Sequence, residues 1–182
     1  ILLIFDEVQS GFGRTGELFA WQTLGVEPDI FTSAKAIAGG LPLSAVFGKN
    51  EIMDKWLKGA HGGTFGGNPV SCAASLAVLE ELYEGGVLEN CRKMGEVVRA
   101  KLNALKDKYS VIGDVRGVGL MNAMEFVKPE DNAPDGALCA AVQAEALKRN
   151  LLLLNCGADH HNVRLIPPLN VDEATLDIAF QI

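Results

Sequence analysis

The chain has 182 residues and carries 16 lysines and arginines against 23 aspartates and glutamates, which gives a formal charge of −7. This acidic balance argues against a basic arm that binds nucleic acid. Apolar residues make up 48% of the chain, an ordinary share for a globular protein, and no apolar run approaches the roughly 20 residues that a membrane span requires. We therefore expect a globular chain with neither nucleic acid nor membrane as a partner.

The first half of the chain has the order of strands and helices that is typical of an α/β domain. The apolar run Ile1–Phe5 does not alternate with polar residues, which predicts a parallel strand covered on both faces. Because such a strand needs neighbours on both sides, we expect the chain to be a fragment that lacks an N-terminal portion. Strands are also predicted at Asp29–Ser33 and Leu43–Phe47, and helices at Glu17–Leu24, Val70–Tyr83 and Val87–Tyr109.

The second half predicts a smaller α+β domain. Arg116, Gly117 and Gly119 indicate a turn or bulge between its first two strands. We place the domain boundary near residue 100, with one domain in 1–100 and the other in 101–182. The predicted strands are Val111–Val115, Leu120–Phe126, Leu151–Leu154 and Val163–Ile166, and the predicted helices are Ala137–Arg149 and one that Asp172 caps.

Four cysteines are spread along the chain and form no C-x-x-C pair: Cys72, Cys91, Cys139 and Cys156. Such spacing is typical of reduced thiols rather than of a disulfide framework. No basic segment followed by an apolar stretch marks a signal peptide. The sequence therefore predicts a cytoplasmic protein.

An acid and a lysine each follow a predicted strand. Asp6 follows the first strand, and Lys35 follows the second within a segment of small and apolar residues. Because ligands of open α/β sheets bind beyond the carboxyl ends of the strands, we expect both side chains at one crevice. A salt bridge at the rim of the sheet is the simpler interpretation. A partly desolvated lysine can also form a Schiff base, and pyridoxal phosphate pairs such a lysine with a carboxylate at its ring nitrogen.

A glycine-rich loop, Gly62–Gly67, leads directly into the predicted cap Asn68 and the helix that follows. Amide donors, the Thr64 hydroxyl and the helix dipole together make this segment a candidate phosphate site. The alternative is a flexible loop ended by an ordinary asparagine cap.

The segment Gly11–Gly16 matches the pattern G-x-G-x-x-G and suggests a nicotinamide-dependent oxidoreductase as an alternative. The dinucleotide fingerprint follows its strand at once, whereas residues 6–10 intervene here and place an acid where the pyrophosphate would lie. We therefore interpret the segment as a turn that shapes the wall of the crevice.

Arg164 stands inside a predicted apolar strand, where a guanidinium is costly unless it binds an anion. A substrate carboxylate and a structural ion pair are both consistent with it. The three histidines, His61, His160 and His161, have spacings that fit neither a zinc site nor a catalytic triad, so we predict surface or loop positions for them and no metal.

Taken together, these segments resemble the class III pyridoxal-phosphate-dependent aminotransferases, and among them the 4-aminobutyrate aminotransferases. The resemblance covers the whole chain and implies the fold type I architecture, with the later part of the large α/β domain followed by the C-terminal α+β small domain. Its motifs are Phe5–Gly16, Ser33–Lys35 with Gly39–Pro42, Gly63–Pro69, and Arg164 before Pro167, Pro168 and Leu169.

The resemblance also implies roles for individual residues. Lys35 would hold pyridoxal phosphate through a Schiff base and later move a proton, and Asp6 would pair with the ring nitrogen. Gln9 would approach the phenolic oxygen of the cofactor, and Val8 would pack on a ring face. Thr64 would bind the phosphate of the neighbouring subunit's cofactor, which implies a dimer or larger assembly.

Arg164 would hold a substrate carboxylate, so the implied reaction moves an amino group from an ω-amino acid, 4-aminobutyrate first, to 2-oxoglutarate. Ornithine or acetylornithine aminotransferase is the nearest alternative. A 2,1-aminomutase and a non-catalytic binding relative are further alternatives. We expect the fragment by itself to be inactive.

Overall fold

The computed structural model describes residues 1–182, and the chain divides into two compact units, Ile1–Glu89 and Asn90–Ile182. Each unit contains one sheet. No helix combines the length and the apolar character that crossing a membrane demands.

The first unit has a three-stranded sheet in the order β1 (Ile4–Asp6), β2 (Ile30–Ser33) and β3 (Ala45–Gly48), in which β1 is parallel to β2 and β3 is antiparallel to β2. The helix α4 (Val87–Lys108) starts in this unit, and most of its residues belong to the second unit. The elements are β1 Ile4–Asp6, α1 Ala20–Leu24, β2 Ile30–Ser33, a 3₁₀ helix Lys35–Ala38, β3 Ala45–Gly48, α2 Asn50–Met53, α3 Pro69–Tyr83 and α4 Val87–Lys108.

One face of this sheet is aromatic. The strand register places Phe5 beside Phe31 and Phe31 beside Phe47. The rings of Phe31 and Phe47 stack with centroids 4.5 Å apart, and Phe19 packs edge-on against Phe31 at 4.8 Å. Because side chains alternate along a strand, Asp6 lies on the opposite face.

The first strand differs from its prediction. It begins at Ile4 rather than Ile1, and Ile4 is 59% exposed. The Leu3 amide donates to the Asp29 carboxylate at 2.8 Å, so the ladder begins only after it. Ile4 lies on the face opposite the aromatic cluster, where the chain does not cover it. The expectation of burial on both faces is therefore wrong for this chain.

The second unit has an antiparallel sheet in the order β4 (Ile112–Val118), β5 (Met121–Phe126), β7 (Asn162–Leu165) and β6 (Leu154–Cys156). Its core lies on one sheet face, where α4 contributes Met94, Val98 and Leu102 at helical spacing. These side chains pack with Met124 and Val163 of the sheet. The elements are β4 Ile112–Val118, β5 Met121–Phe126, α5 Gly136–Lys148, β6 Leu154–Cys156, β7 Asn162–Leu165 and α6 Glu173–Gln181.

Two local predictions in this unit are wrong. Arg116 and Gly117 belong to β4, and the turn comes at Gly119. The strand predicted at Leu151–Leu154 begins only at Leu154, because the Leu151 amide still donates to the Ala146 carbonyl and closes the end of α5.

Helix α4 lies very close to the β4–β5 turn at Gly95. A Cβ atom added to Gly95 would lie 2.3 Å from the carbonyl oxygen of Gly119. Helix propensity alone would make alanine better than glycine by about 1 kcal/mol at an interior helical position. The close approach of α4 to the Gly119 carbonyl requires glycine at position 95, although alanine has the higher helix propensity.

We expect Gly95→Ala to lower the free energy of unfolding by about 1–3 kcal/mol, because the overlap with backbone exceeds the gain in helix propensity. Chemical denaturation measures this change. Gly62→Ala is the matched control, since a Cβ atom there meets nothing within 4 Å. A Gly95→Ala protein as stable as the wild type would contradict the predicted close approach.

Candidate active site

Asp6 ends β1 and lies directly beside Thr32 of the parallel strand β2. Its Oδ1 atom accepts hydrogen bonds from the Val8 amide at 3.0 Å and from the Thr32 hydroxyl at 3.3 Å. Both donors bind the same oxygen, so the carboxylate is held in one orientation on the exposed face of the sheet. Neither donor occupies the second oxygen, Oδ2.

Lys35 begins the 3₁₀ helix immediately beyond β2. Its backbone is in the left-handed region, with φ of 46°, a conformation that costs a non-glycine residue about 1–2 kcal/mol. The side chain is exposed and makes no hydrogen bond or ion pair within the chain. The expected desolvation of Lys35 is therefore not found in this chain, while its amine is available to a ligand.

The register brings Asp6 and Lys35 to the same end of the sheet. Lys35 lies three residues beyond Thr32, the partner of Asp6. Neighbouring strands are about 4.8 Å apart and three residues extend at most about 10 Å, so the two Cα atoms lie within roughly 15 Å. A long lysine side chain and one six-membered ring can span such a gap. The register thus places both backbones at one sheet edge. A shared crevice for the two side chains stays a prediction.

The turn after β1 carries Val8 and Gln9, both partly buried. Sequence reasoning gave no role to two of their neighbours. Thr32 binds the Asp6 carboxylate, which only the strand register could show. Glu7 is 1% exposed, although the sequence shows only an acid that follows a strand.

The segment Gly11–Gly16 forms turns and does not open a helix, since α1 begins only at Ala20. Phe12 has φ of 53° and packs against Phe19. This arrangement lacks the strand-to-helix geometry of a dinucleotide fingerprint. The segment is a buried turn beside the aromatic cluster.

Thr64 lies in an exposed loop that precedes α3, and its hydroxyl makes no hydrogen bond within the chain. The first amides of α3 are already used, because the Asn68 side chain accepts from Val70 at 3.0 Å and from Ser71 at 3.3 Å. The helix end predicted as part of a phosphate site is therefore capped by its own chain. The Gly66 amide is also used, because it donates to the Gly63 carbonyl at 3.2 Å. The Thr64 hydroxyl and the other amides of Gly63–Gly67 are the donors that remain.

Arg164 lies on β7 in the second unit, with Ala123 of β5 beside it on one side and Leu154 of β6 on the other. It alternates with Val163, which is buried in the core, so Arg164 is on the other face of the sheet. Its side chain is partly buried.

That face carries a charged network centred on Arg116. Its guanidinium donates to Asp114 at 2.8 Å, to Glu125 at 2.7 Å and to Asn162 at 2.9 Å. The hydrogen bond from Arg116 holds the pKa of Asp114 below its usual value, and the two carboxylates raise the pKa of Arg116. His161 is buried beside Glu125, with 3.4 Å between Nε2 and Oε1. It lies in the loop that ends at β7, so of the predicted surface or loop positions it takes the loop position.

The family described as aminotransferase class III matches residues 1–182. The chain belongs to the class III aminotransferases. It is 46% identical to 5-aminovalerate aminotransferase of Pseudomonas putida and 44% identical to 4-aminobutyrate aminotransferase of Escherichia coli, in each case over 97% of this chain and 42% of the relative. It is 48% identical to acetylornithine aminotransferase of Thermosynechococcus vestitus over 98% of this chain and 42% of the relative. The chain thus spans about two fifths of the length of these relatives.

Solved structures agree with this family assignment. A phospholyase from Arthrobacter in complex with phosphoethanolamine superposes with a TM-score of 0.92 at 32% identity, covering 99% of this chain and 43% of that one. Taurine:2-oxoglutarate aminotransferase of Bifidobacterium kashiwanohense, in complex with pyridoxal phosphate and glutamate, gives 0.89 at 29% identity, covering 100% and 42%. The predicted α/β class and fold type I are confirmed. The nicotinamide alternative has no support among these relatives.

The network around Arg116 makes the stability of the second unit depend on pH. The pKa of Asp114 is lowered in the folded chain from its usual 3.8, so its stabilising effect is fully present above that value and is lost as the pH falls below it. We expect the difference in melting temperature between wild type and Asp114→Asn to shrink from about pH 6 to about pH 3. Asp107→Asn, an exposed neutralisation in α4, is the control. A difference that does not vary with pH would argue against this ion pair.

Proposed function

We propose that the protein is a pyridoxal-phosphate-dependent aminotransferase that moves an amino group from an ω-amino acid to 2-oxoglutarate. The observation that carries this proposal is the pairing of β1 with β2, which puts an oriented carboxylate and an unpaired amine at one end of the sheet. The names of the relatives, which include 4-aminobutyrate and 5-aminovalerate aminotransferases, support it.

The residues present fit pyridoxal phosphate. Asp6 has Oδ2 open to a ring N–H while Oδ1 is fixed, and Lys35 offers an amine that no group in the chain neutralises. When bound, the cofactor supplies an electron sink for the negative charge that develops on the substrate carbon. A carboxylate at the ring nitrogen maintains that sink by keeping the nitrogen protonated.

Lys35 has two roles in this proposal. Its Nζ atom would hold the cofactor. Once free, the same atom would act as the base that takes the proton from the carbon bearing the amino group, and as the acid that later returns this proton. The exposed, unpaired side chain is free to move between these positions.

The other predicted residues position the cofactor and the substrate. Val8 would pack on a face of the ring, Gln9 would lie near its phenolic oxygen, and Thr64 would bind the phosphate held by a partner subunit. The hydroxyl of Thr64 is exposed and makes no hydrogen bond within the chain, so it is open to such a contact. A dimer or larger assembly is part of this proposal. Arg164 would hold a substrate carboxylate through its planar guanidinium.

The domain assignment and the location are also proposals. We infer that residues 1–100 belong to the large cofactor-binding domain and residues 101–182 to the small domain. The four cysteines are all free thiols, which supports a cytoplasmic location.

The test uses the full-length protein that contains this chain. We expect an absorbance band near visible wavelengths that borohydride removes, because the aldehyde of the cofactor is bound to Lys35. Lys35→Ala should lose the band and at least about 10³-fold of the activity, while Lys58→Ala, an exposed lysine of the same unit, should keep both. Full activity in Lys35→Ala would instead favour a non-catalytic relative or another chemistry.

A donor panel on the same preparation separates the closest alternatives. We expect turnover of 4-aminobutyrate or 5-aminovalerate that depends on 2-oxoglutarate. Acetylornithine is the second candidate donor, favoured by the 48% identity to an acetylornithine aminotransferase. Turnover of an amine without any 2-oxo acid would indicate a lyase, as in the phospholyase neighbour, and would overturn the transaminase assignment.

A further inference from the structure

Glu7 is a buried carboxylate next in sequence to Asp6. Its side chain is 1% exposed, whereas Asp6 is exposed. Successive residues of an extended chain point to opposite sides, so Glu7 is directed away from Asp6 and toward α1. A buried carboxylate is costly unless hydrogen bonds compensate for the lost water. Its contacts therefore indicate what it stabilises.

The two oxygens of Glu7 bind groups from two different segments. Oε1 accepts from the Trp21 amide in the first turn of α1 at 2.9 Å, and Oε2 accepts from the Ser10 hydroxyl at 2.5 Å. One carboxylate thus joins α1 to the turn that follows β1. Hydrogen bonds to a charged acceptor are about twice as strong as neutral ones.

The backbone of Glu7 closes the same turn. Its amide donates to the Thr32 carbonyl at 2.9 Å, which continues the β1–β2 ladder, and its carbonyl accepts from the Gly11 amide at 3.0 Å. A Cβ atom at Gly11 would lie 2.8 Å from that carbonyl oxygen, so the turn is tightly closed. Hydrogen bonds of Glu7 therefore connect the turn after β1 to both β2 and α1. This segment carries Asp6, Val8 and Gln9.

We propose that Glu7 is a positioning residue, whose carboxylate fixes the turn that presents Asp6, Val8 and Gln9 to the cofactor. This inference rests on the proposed function. Glu7 itself does not touch the cofactor; it acts through the orientation of its neighbours.

The test compares Glu7→Gln with Glu80→Gln, an exposed acid on α3, in the full-length protein. Glutamine keeps the size of the side chain but replaces one acceptor oxygen with a donor. The bond to Ser10 must then reverse its direction, and both bonds lose their charged acceptor. We expect the dissociation constant for pyridoxal phosphate to rise about tenfold. The pH at which the bound cofactor changes its absorbance should also shift, because the Asp6 carboxylate is displaced. Glu80→Gln should change neither value.

Ser10→Ala and Ser10→Thr provide a second measurement should Glu7→Gln not fold. Ser10→Ala removes only the hydroxyl that binds Oε2, and we expect a rise of about threefold or more in the dissociation constant. Ser10→Thr keeps a hydroxyl and should restore binding. A merely structural role would lower the melting temperature and leave the cofactor constant and its pH response unchanged in folded protein.

The outcomes separate the two proposals. Wild-type protein that binds no pyridoxal phosphate overturns the proposed function and this inference with it. Wild-type protein that binds the cofactor, together with folded Glu7→Gln and Ser10→Ala proteins that bind within about twofold of it and titrate at the same pH, overturns the positioning role alone.

Discussion

The parallel pairing of β1 with β2 is the constraint on which the candidate site depends. It sets Asp6 beside Thr32, and Thr32 leads within three residues to Lys35. A slip of one residue would turn Asp6 toward the aromatic face and remove it from the edge. The pairing of Phe5 with Phe31 on the aromatic face opposes such a slip. Packing on the aromatic face of the sheet therefore determines that Asp6 lies on the opposite face.

In the second unit too, packing on one face of the sheet determines which side chains lie on the opposite face. Val163 anchors β7 in the apolar core, and alternation then puts Arg164 and Asn162 on the opposite face. Arg116 links three strands on that face through Asp114, Glu125 and Asn162. Aminotransferases named for three different donors are 44–48% identical to this chain, so overall identity does not distinguish among these donors.

Local signals predicted most helices well, because capping and periodicity involve residues close in sequence. Asn68 and Pro69 start α3, and the Asp172 carboxylate accepts the Thr175 amide at the start of α6, as predicted. Strands were less predictable, since their ends depend on distant partners. The bond between Leu3 and Asp29 delays β1, and β3 pairs antiparallel to β2. Neither feature has a signal within its own segment.

The sequence by itself determined the family and the identity of the side chains at the edge of the sheet. Asp6 and Lys35 lie in motifs that are recognised by their residues and spacing, whichever residues begin or end the strands. Only the tertiary structure decided the environments of those side chains. It left Lys35 exposed, used Thr32 to orient Asp6, and buried Glu7 against α1. Burial and hydrogen bonding arise from contacts between segments far apart in the chain, and residue identity alone does not specify which segments meet.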